Sequence, residues 1–377
     1  MKIAVIGAGV SGVTFAINRK KKHPEDEVVI FEHLDKALKK ILSTGNGRCN
    51  IGNKLDISGL QESPLVKDIL VKYDFDVQKD FLNSINIKNK LINELEYPIT
   101  ESAVTVRNLF LTSLEKNQVK LILNSRVLDY QLEKDGIQII TNDGEYLFDK
   151  LVIATGGKSS PKLGSDGSFL DILLRHNYQI KEFQPGLCPI YTKEKTKVLD
   201  GPRVKAIVKL LRNKKPIFEE YGEVLFKEHG LSGIVIFNAS RLIAQDINKD
   251  YKISIDLLPE TSREELRFFL KDHTVEELLN SYLHPNIVKY IQYLKVKNAE
   301  LVDTLKSLTF SFDKLYGFDN SQVSVGGIPF ESVDEKLGSK TEKGLHFLGE
   351  LLDYSAPCGG YNLMWAIGSA LYLSDIL

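Results

Sequence analysis

A glycine-rich turn near the start of the chain constrains the fold more than any other feature. The apolar run Ile3-Ala4-Val5-Ile6 predicts a buried parallel strand, and the segment Gly7-Ala8-Gly9-Val10-Ser11-Gly12 follows it directly. Gly7 allows a tight turn, Gly9 lets a pyrophosphate approach the backbone, and Gly12 lets the next helix pack on the sheet. The amides at the start of that helix would face the phosphates. The pattern therefore predicts a dinucleotide site.

An acidic residue after the next strand supports this interpretation. The run Val28-Val29-Ile30-Phe31 predicts a second strand, and Glu32 ends it twenty residues after Gly12. A carboxylate at this place accepts hydrogen bonds from the ribose hydroxyls of a dinucleotide. A glycine turn without a ligand is the alternative, but the strand, turn, helix, strand and acid occur here in the order that the motif requires.

Composition excludes several classes of protein. The formal net charge is −1, 26% of the 377 residues are charged and 43% are hydrophobic, as in ordinary globular proteins. This balance gives no reason to expect general affinity for nucleic acid or membranes, and no apolar run is long enough to span a bilayer. The three cysteines, Cys49, Cys188 and Cys358, form no CxxC motif, so we expect neither a zinc site nor a redox dithiol. A reducing, cytoplasmic location is the expectation.

Between the ends of the chain the sequence changes character twice. From about Leu187 to Leu258, alternating apolar and polar residues predict a half-buried antiparallel β region. From Pro259 to Leu308 the period becomes helical and predicts four short amphipathic helices. Ser262 to Glu265 and Thr274 to Glu277 both fit capping boxes at helix starts.

The segment from Lys193 to Lys215 is basic, with nine Lys or Arg residues against two acidic ones. It could form a nucleic-acid patch or the solvated outer face of a sheet. The second interpretation is favoured, because no aromatic residues interleave for base stacking.

Four further segments resemble the markers of two-dinucleotide-binding flavoproteins, and they favour FAD over NAD. The strand from Lys150 ends in Ala154-Thr155-Gly156-Gly157, and the segment Val119 to Val127 predicts a strand and a turn. A short strand ends in Gly349-Glu350, like the motif whose carboxylate binds the ribityl chain. Gly359-Gly360-Tyr361-Asn362-Leu363 opens a final helix, whose N-terminal dipole would favour flavin reduction.

The loop Ser43-Thr44-Gly45-Asn46-Gly47-Arg48-Cys49-Asn50 carries small residues and an arginine, which suit phosphate and ribityl contacts. Together with LVIATGGKSSPKLGSDG, GEVLFKEHGLSG, VSVGGIP and GGYNL, the segment KKILSTGNGRCNIGN resembles one bacterial three-domain flavoprotein family. That family includes aminoacetone oxidase-like enzymes and flavoproteins linked to bile-acid dehydroxylation. Asn46, Cys358 and Met364 depart from its usual residues and put the substrate in doubt.

The resemblance implies an α/β architecture, in which a Rossmann-type FAD-binding domain (1–184 and 324–377) is interrupted by a β-rich substrate domain (185–258 and 309–323). A small helical domain (259–308) is carried by the β-rich one. The glycine motif and the resemblance together predict FAD contacts at Gly7, Gly9, Val10, Ser11, Gly12, Glu32, Gly47, Arg48, Cys49, Asn50, Val127, Ala154, Thr155, Gly156, Gly349, Glu350, Gly360, Tyr361, Asn362 and Leu363.

No catalytic acid or base can be assigned from the sequence. Cys49 and Cys358 are better explained as packing residues than as reactive thiols, His229 as a turn residue or a proton carrier, and Tyr361 as a packing or substrate-orienting residue. A flavin that accepts the hydride itself needs mainly a well-placed substrate.

The resemblance implies first an FAD-dependent oxidase of a small amine or amino ketone. Hydride transfer to the flavin N5 atom and reoxidation by oxygen would release hydrogen peroxide. The alternative is an NAD(P)H-dependent reductase of an enone-type small molecule, and a third hypothesis is a non-catalytic flavin-loaded protein that binds RNA through Lys193 to Lys215. The absence of a second GxGxxG motif argues against a separate nicotinamide domain.

Overall fold

A computed structural model of the chain describes residues 1–57 and 63–377. It divides into two compact units, Met1–Phe183 with Val323–Leu377, and Gln184–Gln322. The predicted division into three domains stays a prediction.

The strands, in chain order, are β1 (Lys2–Ile6), β2 (Glu27–Phe31), β3 (Gly52–Asn53), β4 (Asn89–Ile92), β5 (Leu95–Pro98), β6 (Lys120–Ile122), β7 (Val127–Glu133), β8 (Gly136–Thr141), β9 (Glu145–Phe148), β10 (Lys150–Ile153), β11 (Lys181–Gly186), β12 (Ile190–Thr192), β13 (Arg203–Arg212), β14 (Lys215–Lys227), β15 (Gly230–Ser232), β16 (Tyr251–Asp256), β17 (Leu308–Leu315), β18 (Val323–Gly327) and β19 (Leu345–Phe347). The α-helices are α1 (Val10–Lys22), α2 (Pro64–Lys72), α3 (Phe75–Ser84), α4 (Ala103–Lys116), α5 (Ser168–Arg175), α6 (Ile234–Gln245), α7 (Arg263–Asp272), α8 (Val275–Tyr282), α9 (Pro285–Tyr293), α10 (Asn298–Leu305) and α11 (Tyr361–Ile376).

The first unit is built on a parallel sheet with the strand order β19-β10-β1-β2-β6. β1 is buried from Ile3 to Ile6, and it pairs in parallel with β2 on one side and β10 on the other. Helices α1 and α11 pack on each other beside this sheet. In a parallel sheet all carboxyl ends lie at one edge, so the residues after β1, β2, β10 and β19 share that edge. The predicted Rossmann fold class is confirmed.

Two smaller antiparallel sheets also lie in the first unit. One has the order β3-β5-β4, and the other has the order β7-β8-β9. β3 pairs with β5 through Gly52 and Glu96, and this pairing fixes the segment after the loop Ser43 to Asn50.

The second unit contains a closed barrel with the order β12-β15-β14-β13-β16-β17. In β16 the predicted apolar residues Ile253 and Ile255 are fully buried, but Ser254 between them is buried as well, so the alternation is only partial. One element differs from the predicted β region, since residues Ile234–Gln245 form helix α6. The run Ile234-Val235-Ile236 is β-branched and favours a strand locally, but burial of one helical face outweighs that preference.

Helices α7 to α10 follow β16 and precede β17, as the change in sequence period predicts. Both predicted capping boxes are confirmed. The Ser262 hydroxyl accepts the Glu265 amide at 3.1 Å, and the Glu265 carboxylate accepts the Ser262 amide at 2.7 Å. Thr274 and Glu277 repeat the same reciprocal pair at the start of α8. Among the described residues, no helix has the length and apolar character needed to cross a bilayer.

A histidine bridge ties β7, the end of α5 and the segment before β19 together. His176 lies between two carboxylates, with Nδ1 3.0 Å from Glu342 and Nε2 2.9 Å from Asp129. Its ring stacks on Tyr130, with the centroids 3.9 Å apart. Burial alone would lower the pKa of His176, but the two carboxylates outweigh burial and raise it. The folded state therefore favours the protonated form of His176.

This raised pKa predicts a pH-dependent stability. The contribution of His176 is fully present below the ordinary histidine pKa and is lost as the pH rises through the raised folded value. Replacing His176→Gln should therefore lower the free energy of unfolding by about 1–2 kcal/mol at about pH 6, and by less at about pH 9. Urea unfolding of both proteins at the two pH values measures this difference. An equal loss at both values would contradict the bridge.

Candidate flavin site

The glycine turn after β1 is shaped by close contacts between backbone segments. Gly7 has φ +101°, and a Cβ there would lie 2.5 Å from the carbonyl oxygen of Ala154. A Cβ at Gly12 would lie 2.2 Å from the carbonyl oxygen of Gly7. A larger residue at Gly7 would push the turn away from the end of β10, and a larger residue at Gly12 would push α1 away from the turn. These two glycines therefore serve packing within the protein.

Gly9 differs from its two neighbours in the motif. A Cβ placed on Gly9 would meet no atom of the described chain within 4 Å, so the space in front of it is open. Gly9 is also the N-cap of α1, and helix geometry leaves the amides of Val10, Ser11 and Gly12 without intrahelical acceptors. Open space before free amides at the positive end of a helix fits a diphosphate.

Glu32 follows β2 and is 7% exposed. Its carboxylate accepts the Ala8 amide and the Leu34 amide, each at 2.9 Å, and lies 3.1 Å from Nδ1 of His33. Burial would raise the pKa of Glu32, but these donors outweigh burial and lower it. The residue is thus an anion beside the glycine turn, as a ribose-binding acid must be. The hydrogen bond from Ala8 joins it directly to that turn.

The segment after β10 lies along the same edge. Ala154 donates its amide to the Ile6 carbonyl at 2.8 Å and borders Gly7 as described. Gly156 has φ +73°, and a Cβ there would lie 2.9 Å from the Ser165 hydroxyl and 3.8 Å from a Glu350 oxygen. Thr155 and Gly156 therefore join the glycine turn to the acid that follows β19. The loop containing Ser165 also covers this edge, which sequence reasoning did not predict.

The distinctive loop Ser43 to Asn50 forms 3-10 helical turns with an irregular end. Gly45, Asn46 and Gly47 all have left-handed φ values, between +55° and +84°. Asparagine is among the residues that adopt this region most readily, which explains why Asn46 can replace a glycine here. The Cys49 amide donates to the Thr44 carbonyl at 2.9 Å and closes the loop. Asn50 follows it and precedes the short strand β3.

Arg48 does not present a free guanidinium. It forms an ion pair with Glu101, with Nε 2.6 Å from the carboxylate, and its guanidinium carbon lies 4.6 Å from the Tyr97 ring centroid. Lys90 shares the same carboxylate at 2.6 Å. The predicted cofactor contact of Arg48 therefore stays a prediction, with the backbone a better candidate for it than the paired side chain.

Glu350 follows β19 and Gly349. A Cβ on Gly349, whose φ is +64°, would lie 2.8 Å from the Ser11 hydroxyl, so this turn packs on the start of α1. The Glu350 carboxylate accepts the Ser324 amide at 2.6 Å and the Ser159 hydroxyl at 3.1 Å. Lys40 completes the group, with Nζ 2.8 Å from Oε2 of Glu350.

The final helix begins against β3. A Cβ on Gly360, whose φ is +93°, would lie 2.7 Å from the Gly52 carbonyl. The Asn362 side chain accepts the Ala356 amide at 2.8 Å and donates to the Ala356 carbonyl at 2.9 Å, so it holds the preceding loop. Leu363 donates its amide back to Gly360 at 3.0 Å. The amides of Tyr361 and Asn362 are left without intrahelical acceptors.

Val127 begins β7, is 7% exposed and lies opposite Thr141. Just before it, the Ser125 amide donates to the Glu32 carbonyl at 2.9 Å. The segment therefore adjoins the acid after β2, on the side expected for the adenosine end of a dinucleotide.

The residues considered as possible catalytic groups lie in ordinary structural surroundings. Burial raises the pKa of the Cys49 thiol to about 12, so it is protonated and unreactive near neutral pH. No disulfide joins Cys49, Cys188 and Cys358, all of which are described. The His229 side chain is 65% exposed and lies in the turn between β14 and β15. Tyr361 is buried, and burial raises its pKa, so its hydroxyl keeps its proton.

Sequence reasoning missed several residues around the site, namely Lys40, Ser159, Ser165 and Ser324. Lys40 and Ser159 lie inside the quoted segments KKILSTGNGRCNIGN and LVIATGGKSSPKLGSDG. A lysine a few residues before a glycine-rich loop, or a serine after Thr-Gly-Gly, is too common to indicate an ion pair by itself. Their partners come from distant parts of the chain.

A buried carboxylate lies behind the start of α11. Glu96 in β5 is 3% exposed, and its Oε1 atom has no hydrogen-bond partner within the described part of the chain. A Cβ on Gly52 would lie 2.8 Å from its other oxygen. Burial raises the pKa of Glu96 to about 7.

The different roles of Gly9 and Gly12 predict different outcomes of the same substitution. Gly9→Ala should change the free energy of unfolding by less than about 1 kcal/mol, because its Cβ enters open space, and should weaken FAD binding at least about tenfold. Gly12→Ala should destabilise the protein by about 2 kcal/mol or more, because its Cβ would meet the Gly7 carbonyl. Thermal unfolding of the FAD-free protein and titration with FAD measure the two effects. Equal stability losses would contradict the assignment.

The raised pKa of Glu96 predicts how its contribution to stability depends on pH. The direction is opposite to that of an ordinary paired acid, whose pKa is lowered. The folded pKa of Glu96 lies above the unfolded value, so its contribution is favourable below about pH 4 and is lost as the pH rises through about 7. Glu96→Gln should therefore change the free energy of unfolding in the stabilising direction, and this change should be about 2–3 kcal/mol larger at about pH 8 than at about pH 5. Denaturant unfolding at both pH values tests this. Glu94→Gln, an exposed neighbour, is the matched control.

These features fit an extended dinucleotide cofactor. The glycine turn and α1 suit the diphosphate, Glu32 suits a ribose, and Glu350 with the start of α11 suits the flavin end. Every one of these groups lies in the first unit, at the carboxyl edge of its sheet or next to it.

Comparison with known proteins agrees with this interpretation. The family model described as "HI0933-like protein Rossmann domain" matches residues 1–375. A 3-dehydro-bile acid delta(4,6)-reductase from Clostridium scindens is 30% identical and is aligned over 97% of this chain and 96% of its own. A ribosomal RNA dihydrouridine synthase from Haemophilus influenzae is 26% identical over 97% of this chain and 96% of its own.

Solved structures share the fold at low identity. The crystal structure of 3-ketosteroid delta1-dehydrogenase from Sterolibacterium denitrificans has a TM-score of 0.53 at 11% identity, covering 99% of this chain and 98% of that chain. The family match over nearly the whole chain is the stronger result. The chain therefore belongs to the HI0933-like Rossmann family and is an FAD-dependent oxidoreductase.

Proposed function

We propose that this protein is a reductase that saturates a carbon–carbon double bond conjugated to a carbonyl in a small molecule, with NAD(P)H as the electron source. The observation that carries the proposal is the similarity to the 3-dehydro-bile acid delta(4,6)-reductase. That relative is 30% identical and is aligned over 97% of the chain. Its name denotes reduction of ring double bonds in a compound with a 3-oxo group. The enone reductase was the second hypothesis from the sequence.

The second relative supports the same bond type. Conversion of uridine to dihydrouridine, the reaction in its name, saturates a carbon–carbon bond that is conjugated to a carbonyl. The two relatives thus act on very different molecules through one kind of reduction. A conjugated carbonyl stabilises the negative charge that develops when a hydride adds to the double bond, so this bond type suits hydride chemistry.

Bound FAD would supply the hydride transfer. The protein groups that face it would act by position and charge. The amides of Tyr361 and Asn362, at the positive end of the sixteen-residue helix α11, would stabilise negative charge on a reduced cofactor. The protonated hydroxyl of Tyr361 and the protonated thiol of Cys49 add no negative charge there. This arrangement favours a reduced flavin, which a reductase must hold before its substrate arrives.

A small substrate is favoured over RNA by the outer face of the barrel. Within the basic segment Lys193 to Lys215, Arg203 lies 2.8 Å from Glu223 and Lys209 lies 3.0 Å from Glu219. These cross-strand ion pairs between β13 and β14 neutralise part of the basic charge that phosphates would need. Ribosomal RNA is the second candidate substrate, and the 26% identical relative is its support. The amine oxidase hypothesis, with hydrogen peroxide as product, stays a prediction that no comparison confirms.

The order of electron flow tests the proposal. Under nitrogen, NADPH or NADH should bleach the visible flavin band of the purified FAD-loaded protein, and a 3-oxo steroid with a conjugated double bond should restore it. Small amines such as aminoacetone should leave the band unchanged. Mass spectrometry should show a product heavier than the steroid by two hydrogen atoms.

Three outcomes separate the candidates. Bleaching by amines and not by nicotinamides, with peroxide formed in air, would replace the proposal with the oxidase. Reoxidation by uridine-containing ribosomal RNA fragments and not by the steroid would select the RNA substrate. Gly9→Ala protein treated in parallel is the control, because it should fold but bind FAD more weakly, and so give smaller signals at the same FAD concentration.

A further inference from the structure

An ion pair at the flavin end of the proposed site has no role in the function argued so far. Lys40 and Glu350 are 310 residues apart in the chain, and their charged groups are 2.8 Å apart. Neither side chain is fully buried, with 32% of Lys40 and 20% of Glu350 exposed. An exposed ion pair contributes little to stability, so stability alone does not explain why Lys40 reaches this place.

The hydrogen bonds of Glu350 leave one lone-pair site of its carboxylate unused. A carboxylate has about four lone-pair sites. Oε1 accepts from the Ser324 amide and the Ser159 hydroxyl, and Oε2 accepts from Lys40. Oε2 also lies 3.8 Å from the place where a Cβ on Gly156 would be, so this oxygen is next to the segment after β10. The carboxylate is held by three hydrogen bonds and has one acceptor site left.

The Lys40 ammonium group has two hydrogen-bond partners, at Glu350 and next to it. It donates to Glu350 and to the Ser159 hydroxyl, and that hydroxyl donates in turn to Glu350. The three groups form a closed ring of hydrogen bonds. Fixing a flexible lysine in this way costs side-chain entropy, which is reasonable where the orientation of one carboxylate matters.

We propose that Lys40 is a positioning residue for the cofactor, which orients Glu350 toward a hydroxyl of the FAD ribityl chain and cancels its charge. The proposal rests on the proposed FAD site. FAD carries two negative charges on its diphosphate, and a reduced flavin adds negative charge at its ring. An uncompensated carboxylate nearby would repel both, whereas a carboxylate paired with lysine accepts a hydroxyl hydrogen bond without that repulsion.

Charge-changing variants of both residues test this role. Lys40→Met should weaken FAD binding about tenfold to a hundredfold, because Glu350 then lies unpaired beside the cofactor. Lys40→Arg, which keeps the positive charge, should bind FAD within about threefold of the wild type. Lys36→Met, at an exposed lysine of the same segment, is the matched control and should bind like the wild type. Fluorescence titration of the FAD-free proteins measures each dissociation constant.

The double variant Lys40→Met/Glu350→Gln decides the mechanism. If Lys40 cancels the charge of Glu350, removing both charges should restore FAD affinity. The double variant should regain at least about half, on a logarithmic scale, of the affinity that Lys40→Met loses. A double variant that binds no better than Lys40→Met would overturn charge cancellation. Circular dichroism and thermal unfolding confirm that each variant is folded before binding is compared.

The outcome for Glu350 separates this inference from the proposed site. Glu350→Leu removes the acceptor altogether. Lys40→Met with wild-type affinity, together with a weakened Glu350→Leu variant, would remove Lys40 from the site but keep Glu350 in it. If Glu350→Leu also binds FAD like the wild type, the placement of the ribityl chain itself is wrong. The proposed reduction chemistry would survive either result, because nicotinamide bleaching tests it separately.

Discussion

The close approach of backbone segments at the carboxyl edge of the parallel sheet is the constraint on which the rest of the structure depends. The turn after β1 lies against Ala154 and against the first turn of α1, at distances that exclude side chains at Gly7 and Gly12. The turn after β19 approaches α1 through Gly349, which packs against the side chain of Ser11. Because the contacts at Gly7 and Gly12 are with main chain, this part of the edge is rigid and can present amides at fixed positions. A cofactor that is bound mostly by backbone needs this rigidity.

The two carboxylates at this edge, Glu32 and Glu350, are each surrounded by hydrogen-bond donors. Glu32 is compensated by backbone amides and His33, and its pKa falls although it is buried. Glu350 is compensated by an amide, a hydroxyl and Lys40. In both cases some of the donors come from distant parts of the chain, such as Ala8 for Glu32 and Lys40 for Glu350. The hydrogen bonds that hold each acid therefore depend on the assembly of the whole edge, and the lowered pKa of Glu32 depends on it as well.

The parts that could be predicted from sequence are those whose causes are local. The glycine turn follows from backbone freedom over six residues, and the capping boxes at Ser262 and Thr274 follow from reciprocal bonds over four. Helix α6 was missed because its β-branched start favours a strand locally, and only tertiary burial makes it helical. The pairing of Arg48 with Glu101, and of Lys40 with Glu350, joins residues that no short-range pattern connects. Such pairs depend on the fold, so the sequence alone could place the loop but not assign its charged side chains.

The division of the chain into two units separates the proposed cofactor contacts from the barrel and from helices α7 to α10. The proposed cofactor contacts lie in the unit Met1–Phe183 with Val323–Leu377, where main-chain packing leaves little freedom to change. The barrel and helices α7 to α10 lie in the unit Gln184–Gln322, whose outer faces carry ordinary ion pairs and exposed side chains. Two relatives that align with almost the entire chain are named for a bile-acid compound and for ribosomal RNA. We therefore expect the residues that select the substrate to come largely from the second unit, and the redox chemistry to be fixed by the first.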